Sequence, residues 1–275
     1  MQQRGAVLAI IGVGKMGEAL LAGVRRAGWP ADDLRVVDAA AGRAEEVGAA
    51  HGVAVLPDAA AAAGADAVVV AVKPADAPQV ARLLGQAARG GAAPLVISLV
   101  AGVPIALFER LLPAGSPVVR VMPNTPAVVG QGMTAISPGA AAGAEHLGMA
   151  RRIFGSVGEV VQVPEAQLDA VTAISGSGPA YVFLLAEALA DAGAALGLDP
   201  QVAAALSRQT IAGAGAMLRE SPQHPAQLRQ AVTSPGGTTA AALRIFAERD
   251  LAGVVRDAAA AAAARGAELG EQYGS

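Results

Sequence analysis

The chain has 275 residues, 53% apolar and 16% charged, a balance that excludes a disordered polypeptide. A formal net charge of −3 leaves no basic footprint for nucleic acid, and the lack of cysteine excludes disulfides and thiolate chemistry. Glu187 and Asp191 interrupt the longest apolar stretch, so the expectation is a cytoplasmic protein with no membrane partner.

Residues 6–11 predict a buried strand and 17–27 a helix. A strand follows at 34–37, a helix at 43–51 and a short strand at 53–56. The valine run at 67–72 predicts a strand, with a helix over 77–88. Further strands are expected at 95–100, 118–121 and 133–136. Strands alternating with helices imply parallel βαβ units. Beyond residue 164 the strand pattern stops. Helices are expected over 181–197, 201–218, 225–232, 239–248 and 250–269, with Asp199 capping the second and Pro200 at its first position. The fold class is therefore an α/β N-terminal Rossmann-type doubly wound sheet over 1–164. An all-α C-terminal dimerisation domain follows over 165–275. Its helices carry many alanines and few large side chains, so burial against a second copy is expected, giving at least a homodimer.

Gly12-Val13-Gly14-Lys15-Met16-Gly17 follows the first strand and opens the first helix. This is the dinucleotide fingerprint in its required context. Gly12 makes the tight turn, Gly14 admits the pyrophosphate, and Gly17 lets helix and strand pack closely. Asp38 ends the second strand, where a carboxylate bonds the ribose hydroxyls of NAD and repels a 2′-phosphate; the other reading is a helix cap or turn residue. Arg43 lies close behind and is a partner for that phosphate, so the pattern leans to NADH without excluding NADPH. Ala71-Val72-Lys73-Pro74 and Ala101-Gly102 end two later strands, the edge where open α/β sheets bind ligands. Lys73 either orients an oxygen of the cofactor or substrate, or faces solvent. Asn124 sits in a loop stiffened by Pro123 and Pro126. Its expected task is to position the nicotinamide end of the cofactor; the other reading is a structural turn. Lys15 and Lys73 are the only lysines and Asn124 the only asparagine of the chain, and all three fall in these segments.

A second constellation is Thr233-Ser234-Pro235-Gly236-Gly237-Thr238-Thr239. The turn opens onto a helix, whose first N–H groups lack internal partners and carry the positive end of the dipole. With the hydroxyls of Ser234, Thr238 and Thr239, this is a ready site for a small anion such as a carboxylate; the other reading is an ordinary capped turn. His51, His146 and His224 lie in no motif and are expected at the surface. No metal site is expected. With no histidine acid to hand, reduction of a protonated C=N bond fits better than alcohol chemistry. The substrate already carries the positive charge that attracts hydride, so the protein needs only to orient it and exclude water.

These segments resemble the pyrroline-5-carboxylate reductase family. The matching pieces are Ile11-Gly-Val-Gly-Lys-Met-Gly17, Ala71-Val-Lys-Pro74 and Val121-Met-Pro-Asn-Thr-Pro126. To these are added Ala173-Ile-Ser-Gly-Ser-Gly-Pro-Ala-Tyr181 and Val232-Thr-Ser-Pro-Gly-Gly-Thr-Thr239. They run in the family's order across nearly the whole chain, and the last two are specific to it. The resemblance implies reduction of L-1-pyrroline-5-carboxylate to L-proline by NADPH or NADH, the last step of proline biosynthesis. It also implies a helical domain interleaved with its dimer mate, with assembly on to decamers in some members. It assigns the substrate carboxylate to Ser234 and the backbone of Gly236, Gly237 and Thr238, and the ring nitrogen to Thr239. Ser175-Gly176-Ser177-Gly178-Pro179 and Tyr181 fall near the substrate cleft or serve only as a closely packed helix start. One departure concerns Asp38, which three alanines follow where NADPH-preferring relatives carry small polar or basic residues. The alternatives are a reductase of another cyclic imine or oxo acid, and a non-catalytic dinucleotide-binding sensor.

Overall fold

The apolar runs of the first half are buried on both faces, which is the signature of a covered, mostly parallel sheet. The computed structural model describes residues 5–88 and 93–274. Its strands are β1 (Leu8–Ile11), β2 (Leu34–Val37), β3 (Ala54–Val55), β4 (Ala67–Val70), β5 (Leu95–Ser98), β6 (Val118–Met122), β7 (Gly132–Pro138) and β8 (Gly158–Gln162). They form one sheet in the order β3-β2-β1-β4-β5-β6-β7-β8. Every pairing is parallel except β6 with β7. The helices of this half are α1 (Lys15–Arg26), α2 (Arg43–His51), α3 (Ala77–Ala87), α4 (Ile105–Leu111) and α5 (Ala144–Phe154).

Alternation along the strands divides the core in two. Leu8 and Ile10 of β1 and Val69 of β4 pack on one face with Leu20, Leu21, Trp29 and Phe154. Ala9, Ile11, Val68 and Val70 face the other way, against Val80, Leu84 and Phe108. The sheet order reverses between β1 and β4, which opens a crevice beyond the carboxyl ends of these strands.

The antiparallel β6–β7 pair departs from the expected all-parallel βαβ pattern. The link between them is a 3-10 turn over Thr125–Val129, too short for a crossover, so the chain folds straight back. Helix α5 then supplies the crossover that makes β8 parallel to β7. α4, α5 and β8 were not expected from periodicity. β8 is an edge strand with three of its five residues open to solvent, so it lacks an apolar run.

By packing, the chain divides into two compact units, one running to Gly176 with the chain from Ala262 onward, the other Ser177–Ala261. Strands end at Gln162, close to the expected change at 164. The segment that follows, α6 (Leu168–Val171) and one turn of π-helix over Thr172–Gly176, still clusters with the sheet, because Leu168 and Ala173 are buried. The end of secondary-structure alternation and the end of the packed unit are thus different places.

The second unit holds α7 (Gly178–Ala195), α8 (Pro200–Glu220), α9 (Pro225–Ala231), α10 (Thr238–Glu248) and the first part of α11 (Leu251–Gly274). Asp199 caps α8 by accepting from the N–H groups of Gln201 and Val202, with Pro200 at the first position. α7 and α8 pack through small residues: Gly193 faces the Ala203 methyl, and Ser207 Oγ donates to the Ala186 carbonyl at 2.5 Å. Little else is covered in the lone chain. Phe183 is 67% exposed and Leu196 86%, with Leu184, Leu206 and Val254 also open. Glu165–Ala195 is long and apolar enough to cross a membrane by length and composition alone, a test also passed by helices that bury an apolar face against protein.

Candidate active site

The glycine loop between β1 and α1 is built as its spacing requires. Gly12 has φ +91°, and a Cβ there would lie 2.6 Å from the Ala71 carbonyl oxygen. A Cβ on Gly17 would collide with the Gly12 carbonyl oxygen. At Gly14 the same test meets open space, and Gly14 stands at the N-cap of α1 with no side chain capping the helix. The free N–H groups and dipole of α1 therefore face room for a phosphate.

That room is part of a crevice of about 730 Å³ at the strand-order reversal. Gly12, Gly14, Asp38, Arg43, Ala71, Val72 and Lys73 line it, so seven expected cofactor residues converge. Val13, Lys15, Met16, Gly17, Pro74, Ala101, Gly102 and Asn124 are not among its walls. Sequence reasoning missed Pro57, Ala59, Asp58, Asp76, Gln79 and Leu83, which also border it. Asp76 and Gln79 were findable, because they sit at the start of α3 just after the β4 edge. The apolar walls suit an adenine ring, and the open Gly14 corner suits a pyrophosphate, so these residues fit a dinucleotide.

Asp38 does double duty. Its Oδ2 accepts from the Val13 N–H at 2.7 Å and its Oδ1 from the Ala40 N–H at 2.8 Å. The carboxylate thus ties the glycine loop to the end of β2 and keeps further lone pairs for a ribose hydroxyl. Arg43 is equally engaged. Its Nε donates to the Val13 carbonyl at 3.0 Å, one Nη to Glu46 at 3.0 Å and the other to Glu18. The hydrogen bonds from Glu46 and then Glu18 push its pKa above the ordinary arginine value.

Asn124 is held inside its own loop region. Its Oδ1 accepts from the Met133 N–H at 2.8 Å, and its Nδ2 donates to the carbonyl and hydroxyl oxygens of Ser175 at 3.2 Å each. It joins the start of β7 to the π-helical turn. Gly102, at φ +74°, backs onto Leu269 and Gly270 of α11. Glu165 Oε1 accepts from both Arg120 at 3.0 Å and the Ile105 N–H at 2.8 Å, fixing the chain where it leaves the sheet.

The second cluster lies in the helical unit. Gly236 has φ +70°, and a Cβ on Gly237 would meet the Ser234 hydroxyl. Gly237 is the N-cap of α10 and no side chain caps that helix. The first N–H groups of an 11-residue helix are thus left with Ser234, Thr238 and Thr239 around them. The histidines are spent elsewhere. His51 Nε2 is 3.7 Å from Glu18, His146 Nδ1 accepts from the Gly143 N–H, and His224 caps α9. Among the described residues no group of three His, Cys, Asp or Glu is placed to hold a metal ion.

A doubly wound sheet with this loop at its reversal point, followed by a helical unit, defines a nicotinamide-dinucleotide-dependent oxidoreductase. Two family models match: "NADP oxidoreductase coenzyme F420-dependent" over residues 7–102 and "pyrroline-5-carboxylate reductase dimerisation" over 165–269. Pyrroline-5-carboxylate reductase of Mycobacterium tuberculosis is 46% identical over 260 residues, covering 87% of this chain and 88% of that protein. The structure of a pyrroline-5-carboxylate reductase from Coxiella burnetii superposes with a TM-score of 0.92 at 35% identity, covering 97% of this chain and 99% of that one. The Plasmodium falciparum pyrroline carboxylate reductase with NADP bound gives 0.83 at 30%, covering 97% and 98%. The chain belongs to the pyrroline-5-carboxylate reductase family.

Proposed function

We propose that the chain reduces the C=N bond of L-1-pyrroline-5-carboxylate with NADPH or NADH to give L-proline, the last step of proline biosynthesis. The observation that carries this is the uncapped N-terminus of α10 behind Ser234-Pro-Gly-Gly, an anion site with no acid of its own. The names of relatives 46% and 35% identical support it. Ser234 and the backbone of Gly236, Gly237 and Thr238 take the substrate carboxylate, which fixes the ring. The Thr239 hydroxyl hydrogen-bonds the ring nitrogen and holds its proton in place. When bound, the reduced nicotinamide supplies the hydride. The nitrogen enters protonated and leaves as a neutral amine, so no further acid is required.

On the cofactor side, residues 12–17 take the pyrophosphate, and Asp38 the adenosine ribose. Ala71, Val72, Lys73 and Pro74, with Ala101 and Gly102, flank the nicotinamide half. Asn124 contributes by holding Ser175. The working division is 1–164 for the dinucleotide and 165–275 for substrate and dimerisation. The dimer covers the open apolar side chains of the helical half, higher assembly to a decamer builds on it, and the protein works in the cytoplasm.

The test is nicotinamide absorbance with pyrroline-5-carboxylate, run in parallel with NADH and NADPH. Consumption of either supports the reading. Folded protein that binds cofactor but turns over only a six-membered imine, or nothing, overturns it in favour of another reductase or a sensor. In the same assay Asp38→Ala is expected to lower kcat/KM for NADH about tenfold relative to NADPH, the scale of one hydrogen bond to a charged group. It also strands the Val13 and Ala40 N–H groups, so the melting temperature falls. An unchanged cofactor ratio removes Asp38 from ribose recognition.

A further inference from the structure

We propose that Glu18 and Glu46 make this chain prefer NADH, by holding the Arg43 guanidinium in an internal ion pair where it would otherwise receive a 2′-phosphate. The inference rests on the dinucleotide reading of the crevice. Arg43 opens α2, five residues beyond Asp38, and borders the crevice with it. It is the basic group on the Asp38 side; Lys73, the other cation of the walls, stands past the end of β4.

A free arginine here would favour NADPH, because its planar fork matches phosphate oxygens bidentately. This arginine is not free. Three of its nitrogens donate within the protein, to Val13, Glu46 and Glu18. Both carboxylates approach it from the protein: Glu18 from the first turn of α1, Glu46 from one turn along α2. His51, at the end of α2, stands 3.7 Å from the other oxygen of Glu18 and completes the cluster.

The charges then decide the sign. Asp38, Glu18 and Glu46 contribute three negative charges against the one on Arg43. A phosphate monoester brings about −1.5 to −2 more at neutral pH. The ribose hydroxyls of NADH bring none and meet Asp38 as donors. Arg43 has a second task, bracing the glycine loop through the Val13 carbonyl, and this needs the guanidinium to stay where it is. Discrimination between the cofactors is therefore shared by residues on α1 and α2, not lodged in Asp38 alone.

The experiment uses the full chain with Glu18→Gln, Glu46→Gln and the double variant, which remove charge and keep shape. Dissociation constants are measured for NADH and NADPH by nicotinamide fluorescence, and for 5′-ADP and 2′,5′-ADP by calorimetry. The nucleotide pair lacks nicotinamide, so this readout is independent of turnover. The wild type is expected to bind NADH and 5′-ADP more tightly than their 2′-phosphorylated forms. In the double variant NADPH and 2′,5′-ADP should tighten about tenfold, with NADH and 5′-ADP within twofold. Adding Arg43→Leu to the double variant should erase that gain. If the folded variants, checked by thermal melting, gain no 2′-phosphate affinity, or keep the gain without Arg43, the proposal is overturned. A wild type that prefers NADPH overturns it too. A wild type that binds neither dinucleotide instead overturns the reading of the crevice on which it rests.

Discussion

Thr239→Val is expected to lower kcat about a hundredfold while the dissociation constant for NADH stays within twofold. Valine replaces the hydroxyl with a methyl of similar size, so the first turn of α10 keeps its shape and loses one polar contact. Positioned proton-handling groups contribute roughly 10²–10⁴-fold in enzymes, and a group that only holds a proton already present belongs at the lower end. Steady-state turnover and a fluorescence titration of cofactor, on the same preparation, separate the two quantities. An equal loss in both would mean that Thr239 shapes the helix and does not touch the ring nitrogen.

Gly17→Ala acts on the opposite side of the reaction, and the expected result is loss of dinucleotide binding. The added Cβ falls on the Gly12 carbonyl oxygen, which is backbone and cannot turn aside like a side chain. Gly12 is itself pinned, with its N–H donating to the Val37 carbonyl at 2.8 Å and its φ at +91°. The loop must shift outward into the phosphate corner beside Gly14. Overpacking of this kind costs about 3 kcal/mol at the upper end of its usual range. That corresponds to a fall in melting temperature of roughly 6–12 °C, and dinucleotide affinity falls because the displaced loop fills the phosphate corner. Calorimetric titration of NADH and a thermal melt measure both. Binding that survives intact would mean the loop has slack that its packing denies. Gly14→Ala is the informative contrast: its Cβ meets no protein atom, so the fold should tolerate it and only phosphate access should suffer.

The parts of this molecule that were legible in the sequence share one property: their signal is local. β1, β2 and β4 read as apolar runs because both sheet faces are covered. The glycine loop reads from spacing, and Gly17 answers a steric demand inside the loop, the Gly12 carbonyl, whereas the demand on Gly12 comes from distant Ala71. Asp199 with Pro200 likewise announces the start of α8 locally. The parts that escaped depend on what lies far along the chain. β8 is an edge strand and pays little for polar residues, so it carries no run. The reversal of β7 follows from a link too short to cross over, and strand periodicity carries no direction. The ion pair on Arg43 needs α1 and α2 brought together at a particular helical phase, and Glu18 is 25 residues away. Asn124 drew notice as the only asparagine, yet its partners Ser175 and Met133 emerge only when β7 and the π turn are in place.

The sheet unit is not one continuous piece of chain. It takes in the residues from Ala262 onward, among them the stretch of α11 against which Gly102 rests. A ribosome makes those residues well after the last strand. The nascent sheet can pair its strands early, since β1 to β8 are all made by residue 162. Gly102 and Asp169 lack their α11 neighbours until residues 266–270 have been made. With elongation at about 5–20 residues per second, roughly a hundred residues separate the last strand from its cover, an interval of about 5–20 seconds. During that time the sheet unit stands without its α11 contacts, and a product truncated before Ala262 never gains them.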